Sequence, residues 1–245
     1  MLGWTLFAKA VTLVTDNLAL ALRVSAVPYL LVVAATVWAH SVAPEAVRGG
    51  FDPASADPGA LWAAFVPMLA ILVAGVWIAV AWHRATLLGE ESGWVPPLHG
   101  GLVLGYLGRS LLLAIVVGLA TSLAGAVAGL LVLPLLGGAG VGVIGAVAFF
   151  VAMILFYRLA VVLPAGAVGA PLTVAEAWGA TRGHTNTVVA LALLTAVLGF
   201  VLQLPVAAGG GFALVYLLVV QWAELMIAVS VLTVLYGHLV EDRPL

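Results

Sequence analysis

"VGVIGAVAFFVAMILFYRLAVVLP", residues 141–164, decides how this chain is read. It carries one charged side chain, Arg158, which is also the only charge between Gly137 and Gly169. A helix needs about 20 apolar residues to cross the hydrocarbon of a bilayer. The run up to Phe156 meets that need, and it does not alternate apolar with polar residues as a barrel strand would. An arginine behind a tyrosine then marks a membrane surface, with the ring of Tyr157 in apolar surroundings and its hydroxyl wet.

Five further segments have the same character. With this one they predict spans at about Leu18–Ala39, Leu61–Leu88, Leu111–Leu136, Val141–Leu163, Val188–Ala208 and Phe212–Leu239. Composition agrees. Hydrophobic residues make up 65% of the 245 and charged residues 7%, where a soluble domain carries roughly 25%. Mean hydropathy is +1.28. So few charges cannot cover a water-facing surface, so lipid must. The length suits one integral membrane domain over residues 1–245. No basic run points to nucleic acid, and the absence of Cys removes disulfide and thiolate chemistry. The first apolar segment is too long for a signal peptide, and Pro44 would follow a cleavage site directly, so it reads as an uncleaved span.

Basic residues set the orientation, because cytoplasmic loops retain them. Lys9, Arg23, Arg84, Arg109, Arg158, Arg182 and Arg243 fall on one side of the six-span plan. Only Arg48 falls on the other, in a loop with Glu45, Asp52 and Asp57. Both termini are therefore expected in the cytoplasm, with the chain in a bacterial inner membrane.

The even spans end alike, at Trp82–His83–Arg84, Tyr157–Arg158 and Tyr236–His238, and all three ends are expected at the interface. The odd spans begin alike. Each follows a short stretch that reads as an interfacial helix: residues 4–17, 98–110 and 171–186. The first places Leu6, Phe7, Ala10, Val11 and Val14 on one helical face. The last opens with Thr173 as N-cap and Glu176 three residues on. The fold class expected is an all-α polytopic bundle of six spans, with about three interfacial helices arranged as three repeated hairpins.

"YRLAVVLPAGAV" (157–168) followed by "TVAEAWGATRG" (173–183) resembles a pattern in uncharacterised bacterial six-span inner-membrane proteins. These are similar to the YciC type and to the membrane domain of glycerophosphodiester phosphodiesterases. The matching positions are Tyr157, Arg158, Pro164, Ala165, Glu176, Ala177, Trp178, Thr181, Arg182 and Gly183. The resemblance implies a location and a fold. It implies no reaction, because no phosphodiesterase catalytic domain is present in these residues.

Among chemistry-bearing residues Glu224 stands out. It lies about 13 residues into the sixth span, hence about 20 Å deep. An ionisable residue at that depth is expensive and is a functional hypothesis by default. Gln221 shares its helical face, and Ser122 of the third span should lie at similar depth. The group reads either as a hydrogen-bonded helix contact or as a proton- or cation-coupled site. Arg23, Arg84, Arg109, Arg158 and Arg182 are candidate contacts for lipid headgroups or anions, although the positive-inside rule alone accounts for them. The five histidines show no metal-ligand spacing, and no nucleophile motif or P-loop is present. Gly125-x-x-x-Gly129 and Gly138-x-x-x-Gly142 read as packing faces. Pro28, Pro67 and Pro205 are candidate kinks, and Gln203 could satisfy a freed backbone group or point into the bundle. Two function classes follow. One is a non-enzymatic membrane protein, without cofactor or metal, that organises lipid or protein partners at the cytoplasmic face. The other is a small-solute or ion transporter whose pathway includes Glu224.

Overall fold

A computed structural model describes residues 2–42, 58–208 and 210–244. The loop holding Glu45, Arg48, Asp52 and Asp57 lies outside these residues. The described chain is helical: α1 (Leu2–Thr15), α2 (Leu18–Val42), α3 (Pro58–Leu88), α4 (Gly100–Leu136), α5 (Ala139–Leu159), α6 (Val162–Ala167), α7 (Val174–Ala180), α8 (Thr185–Gln203) and α9 (Gly210–Leu239). A 3₁₀ turn, Leu204–Ala208, follows α8. Six helices are long and apolar enough to cross a membrane, so the chain is an integral membrane protein with a polytopic helical bundle.

The chain punctuates itself with local chemistry. Asn17 ends α1 by donating from Nδ2 to the Leu13 carbonyl at 3.0 Å. Thr173 caps α7, its Oγ1 accepting from the Glu176 amide, while Glu176 accepts from the Thr173 amide at 2.7 Å. Gly183, at φ 89°, makes the left-handed turn between α7 and α8 that a residue with a β-carbon resists. The middle stretch differs from the other two. Residues 100–110 do not form a separate interfacial helix but are the first turns of α4. No turn like Asp16–Asn17 divides them from the span, and α4 runs on for 37 residues, about 55 Å. Pro28 and Pro67 sit inside unbroken α-helices, whereas before Pro205 the α-helix gives way to the 3₁₀ turn.

The core does not run the length of the bundle. It gathers at one end, here called basal, where α3, α6 and α9 finish and α1 packs across α8 and α9. Trp82 and His83 are fully buried there, and Tyr157 and Tyr236 are each 3% exposed. The expectation of wet polar tips on these residues is corrected: they are buried within the protein. The three span ends converge on one another and on α1, so their side chains fill the centre of the basal end instead of facing headgroups. In contrast, α4 and the helix formed by α5 and α6 have only 6% of their most apolar windows buried within the protein.

Three arginines close the basal end. Arg84, at the exit of the first hairpin, donates from Nη1 to the Ala167 carbonyl at the end of the second, at 3.2 Å. Arg158, at the exit of the second, donates to the Thr181 carbonyl at the entrance of the third, at 3.3 Å. Arg243, after the third, donates from Nη2 to the Leu87 carbonyl at the end of the first, at 2.8 Å. The tie runs first to second, second to third and third back to first. Gly166 leaves room beside it for Arg109: a β-carbon there would fall 2.5 Å from Nη1.

The buried face of α1 is Gly3, Leu6, Phe7, Ala10 and Val14. A β-carbon on Gly3 would lie 2.6 Å from the Ala190 Cβ and 3.0 Å from the Thr187 carbonyl oxygen. Neither neighbour can retreat, since one is a β-carbon and the other is backbone. Gly3→Leu is therefore expected to destabilise the protein by about 1–3 kcal/mol. Thermal unfolding in detergent checks this, with Gly108→Ala, where a β-carbon meets nothing within 4 Å, as the comparison.

Candidate functional site

Two groups of polar side chains stand out among the described residues, a buried one at the basal end and a mid-span pair, Glu224 with Gln203, of which Gln203 is exposed. The basal group starts from His83 on α3. Thr233 on α9 donates its only hydroxyl proton to the Val229 carbonyl at 2.9 Å. Its oxygen is therefore left to accept, and His83 Nδ1–H donates to it at 2.9 Å. His83 Nε2 is then the acceptor facing the Tyr106 hydroxyl of α4, at 3.4 Å. One imidazole thus links three spans. Sequence reasoning missed this set, because His83 followed by Arg84 looks like an interfacial exit and nothing in the spacing marks Tyr106 or Thr233 as its partners.

Just beyond α3 the carboxylate of Glu90 accepts from Arg84 Nε at 2.6 Å and meets His99 Nε2 at 2.7 Å. Burial works against its charge, but the hydrogen bonds and charges of Arg84 and His99 outweigh that and hold its pKa below the ordinary carboxylate value. Glu90 thereby fastens the turn between α3 and α4. A cavity of about 160 Å³ opens nearby, with Lys9, Thr86, Thr233, His238 and Arg243 among its lining residues. Among the described residues, no three His, Asp or Glu side chains come together in a way that could hold a metal ion.

The arginines named from sequence take different positions. Arg84 faces inward, held by Glu90 and the Ala167 carbonyl. The guanidinium of Arg109 lies against Gly105 and Gly166. Arg158 is half-buried, stacked 4.8 Å over the Trp178 ring and donating from Nη2 to Thr185 Oγ1 at 2.6 Å. Arg23 and Arg182 are exposed.

At mid-span Glu224 meets Gln203, whose Nε2 donates to Oε1 at 3.3 Å and to Oε2 at 3.2 Å. The carboxylate rests over Gly199, where a β-carbon would sit 3.7 Å from Oε1. The structure does not gather the expected trio. Gln221 is one turn away with its Oε1 buried and unpartnered, and Ser122 is exposed on α4. Gln203 is the last residue of α8, and a 3₁₀ turn stands between it and α9, which carries Glu224. Close by, Trp222 Nε1 donates to Ser25 Oγ at 2.7 Å and Tyr29 donates to the Leu218 carbonyl at 2.7 Å. These bonds join α2 to α9.

Comparison with family models, with curated proteins and with solved structures gave no match.

Two outcomes are expected from these contacts. Because the Glu90 pKa is depressed in the folded state, its contribution is fully present above its unfolded value near 4.5 and is lost as pH falls through the lower folded value. Thermal unfolding against pH should show that acid loss in the wild type and a shallower one in Glu90→Gln. For Glu224, the contact with Gln203 requires only an acceptor. Glu224→Gln should unfold at nearly the wild-type temperature, whereas Glu224→Leu should lose about 0.6–1.7 kcal/mol, the range for polar contacts between spanning helices.

Proposed function

We propose that this chain is a non-enzymatic protein of the bacterial inner membrane, with both termini in the cytoplasm, that organises anionic lipid and protein partners at the cytoplasmic face. The observation that carries this reading is the contrast between the two ends of the bundle. The basal end is a packed core tied by Arg84, Arg158 and Arg243 to backbone carbonyls, with Lys9, Arg23 and Arg182 exposed. The α4–α5 hairpin is largely uncovered by the rest of the protein. A protein that holds partners beside it needs such open lateral surface. A transporter instead needs two gates around a cavity at the midplane. The resemblance of residues 157–183 to six-span inner-membrane proteins supports the same location.

A transport pathway through Glu224 is the second reading. It is favoured by the Glu224–Gln203 pair at mid-span. Neither the basal cavity beside Lys9 and Arg243 nor the lateral cavity lined by Val117, Leu155 and Trp178 includes Glu224 in its lining. Under transport, Glu224→Gln would abolish function in a folded protein; under the first reading it leaves function intact.

The orientation has a direct test, since the chain has no native Cys. Gly93, Gly138 and Gly179 each have open space where a β-carbon would go. A membrane-impermeant maleimide added to intact cells should label Gly138→Cys and leave Gly93→Cys and Gly179→Cys unlabelled until the membrane is opened. The reverse pattern would place the basal end outside and remove the proposal.

A further inference from the structure

A groove of about 560 Å³ runs between α4, α5 and α7. Its walls are apolar, with Val117 and Ala120 from α4, Leu155 and Leu159 from α5, and Ala175 and Trp178 from α7. It lies along the two spans that the rest of the protein covers least, so it opens sideways on whatever surrounds the bundle. Its basal end is cationic. The guanidinium of Arg158 stands 4.8 Å over the Trp178 ring that forms the groove wall. Arg158 donates to the Thr181 carbonyl and to Thr185 Oγ1, and a guanidinium has five N–H donors, so others remain for a ligand. Arg182 is exposed beyond the end of α7. The first turn of α8, behind an N-cap that makes no side-chain hydrogen bond, adds the positive end of a helix dipole at Thr185. The acidic group of α7, Glu176, is turned back onto Thr173.

We infer that this groove binds one bilayer phospholipid with an anionic headgroup, its acyl chain along α4 and α5 and its phosphate at Arg158 and Arg182. The occupant follows from two complementarities in one place. At membrane depth a laterally open apolar groove meets acyl chains, and at its end the cations require a negative counter-charge. A partner helix would match the apolar wall but bring no anion to Arg158, whereas a phospholipid carries chain and charge in one molecule. The inference rests on the proposed lipid-organising function and narrows it to one site.

The test uses the full chain, purified in detergent and offered equimolar phosphatidylglycerol and phosphatidylcholine, with retained lipid read by native mass spectrometry. The wild type should retain phosphatidylglycerol preferentially. Arg182→Gln should lower that preference about fivefold, the effect of one basic residue near an anionic surface. Arg158→Gln should lower it at least as much; because it also breaks the tie to Thr181, its fold is checked by thermal unfolding. Ala120→Phe and Ala175→Phe, which fill the groove, should reduce retention of both lipids. Undiminished phosphatidylglycerol retention in the groove-filled variants would overturn the site while leaving lipid organisation elsewhere on the basal face. Equal retention of the two lipids by the wild type and every variant would remove the lipid-organising reading as well.

Discussion

The architecture depends on arginine guanidinium groups bonded to backbone carbonyls at the basal end. A carbonyl at the end of a spanning helix lacks its intrahelical donor, and a charged donor satisfies it well. Leu87 and Ala167 sit at such ends, and Thr181 sits in the turn that closes α7. Each carbonyl is met by an arginine from a different hairpin, and the three ties form a closed circuit. A hydrogen bond to a charged group contributes about 1.5–3 kcal/mol. The larger consequence is geometric. Apolar spans gain no hydrophobic drive to associate in lipid, so directional polar ties and close packing set which helix neighbours which.

With the hairpins held at one end, the rest of each can diverge. The aromatic residues that finish α3, α5 and α9 face the axis at the closed end, where Trp82, Tyr157 and Tyr236 fill the same core. Toward the other end the spans part, and α4 and α5 are left to pack on each other and on the bilayer. Charge follows the same division. The arginines that face inward hold the fold, and those left at the rim are available to a ligand. Arg158 belongs to both groups, since it ties two hairpins and also stands over Trp178.

The number and order of the spans were legible because hydropathy records the bilayer directly, whereas the length of α4 was not. The predicted start of the first span at Leu18 and the ends of the second and sixth at Leu88 and Leu239 coincide with helix ends. The capping box at Thr173 was also legible, because it is local chemistry. What depends on which helices are neighbours was not. Tyr157 and Trp82 look the same in sequence whether they face a headgroup or another helix, and only the convergence of the hairpins decides between them. His83 has partners 23 and 150 residues away, and no pattern along one helix encodes that. Glu224 pairs with Gln203, which lies on another helix where no spacing along the sixth span points to it.

The seat of α1 bears on how the molecule is assembled. Gly3 touches Thr187 and Ala190, and α1 as a whole packs on α8 and α9, so helices far apart in sequence are close in space. Contacts of such long sequence separation form late, after intervening loops have been closed. Four spans precede the final α8–α9 hairpin, so the apolar face of α1 has no seat on it until the last two spans are made. The final hairpin then covers that face, and Arg243, which follows the last span, donates to the Leu87 carbonyl at the end of the second. A chain stopped before the final hairpin would therefore leave the apolar face of α1 and the Leu87 carbonyl both without the partners that meet them in the finished fold.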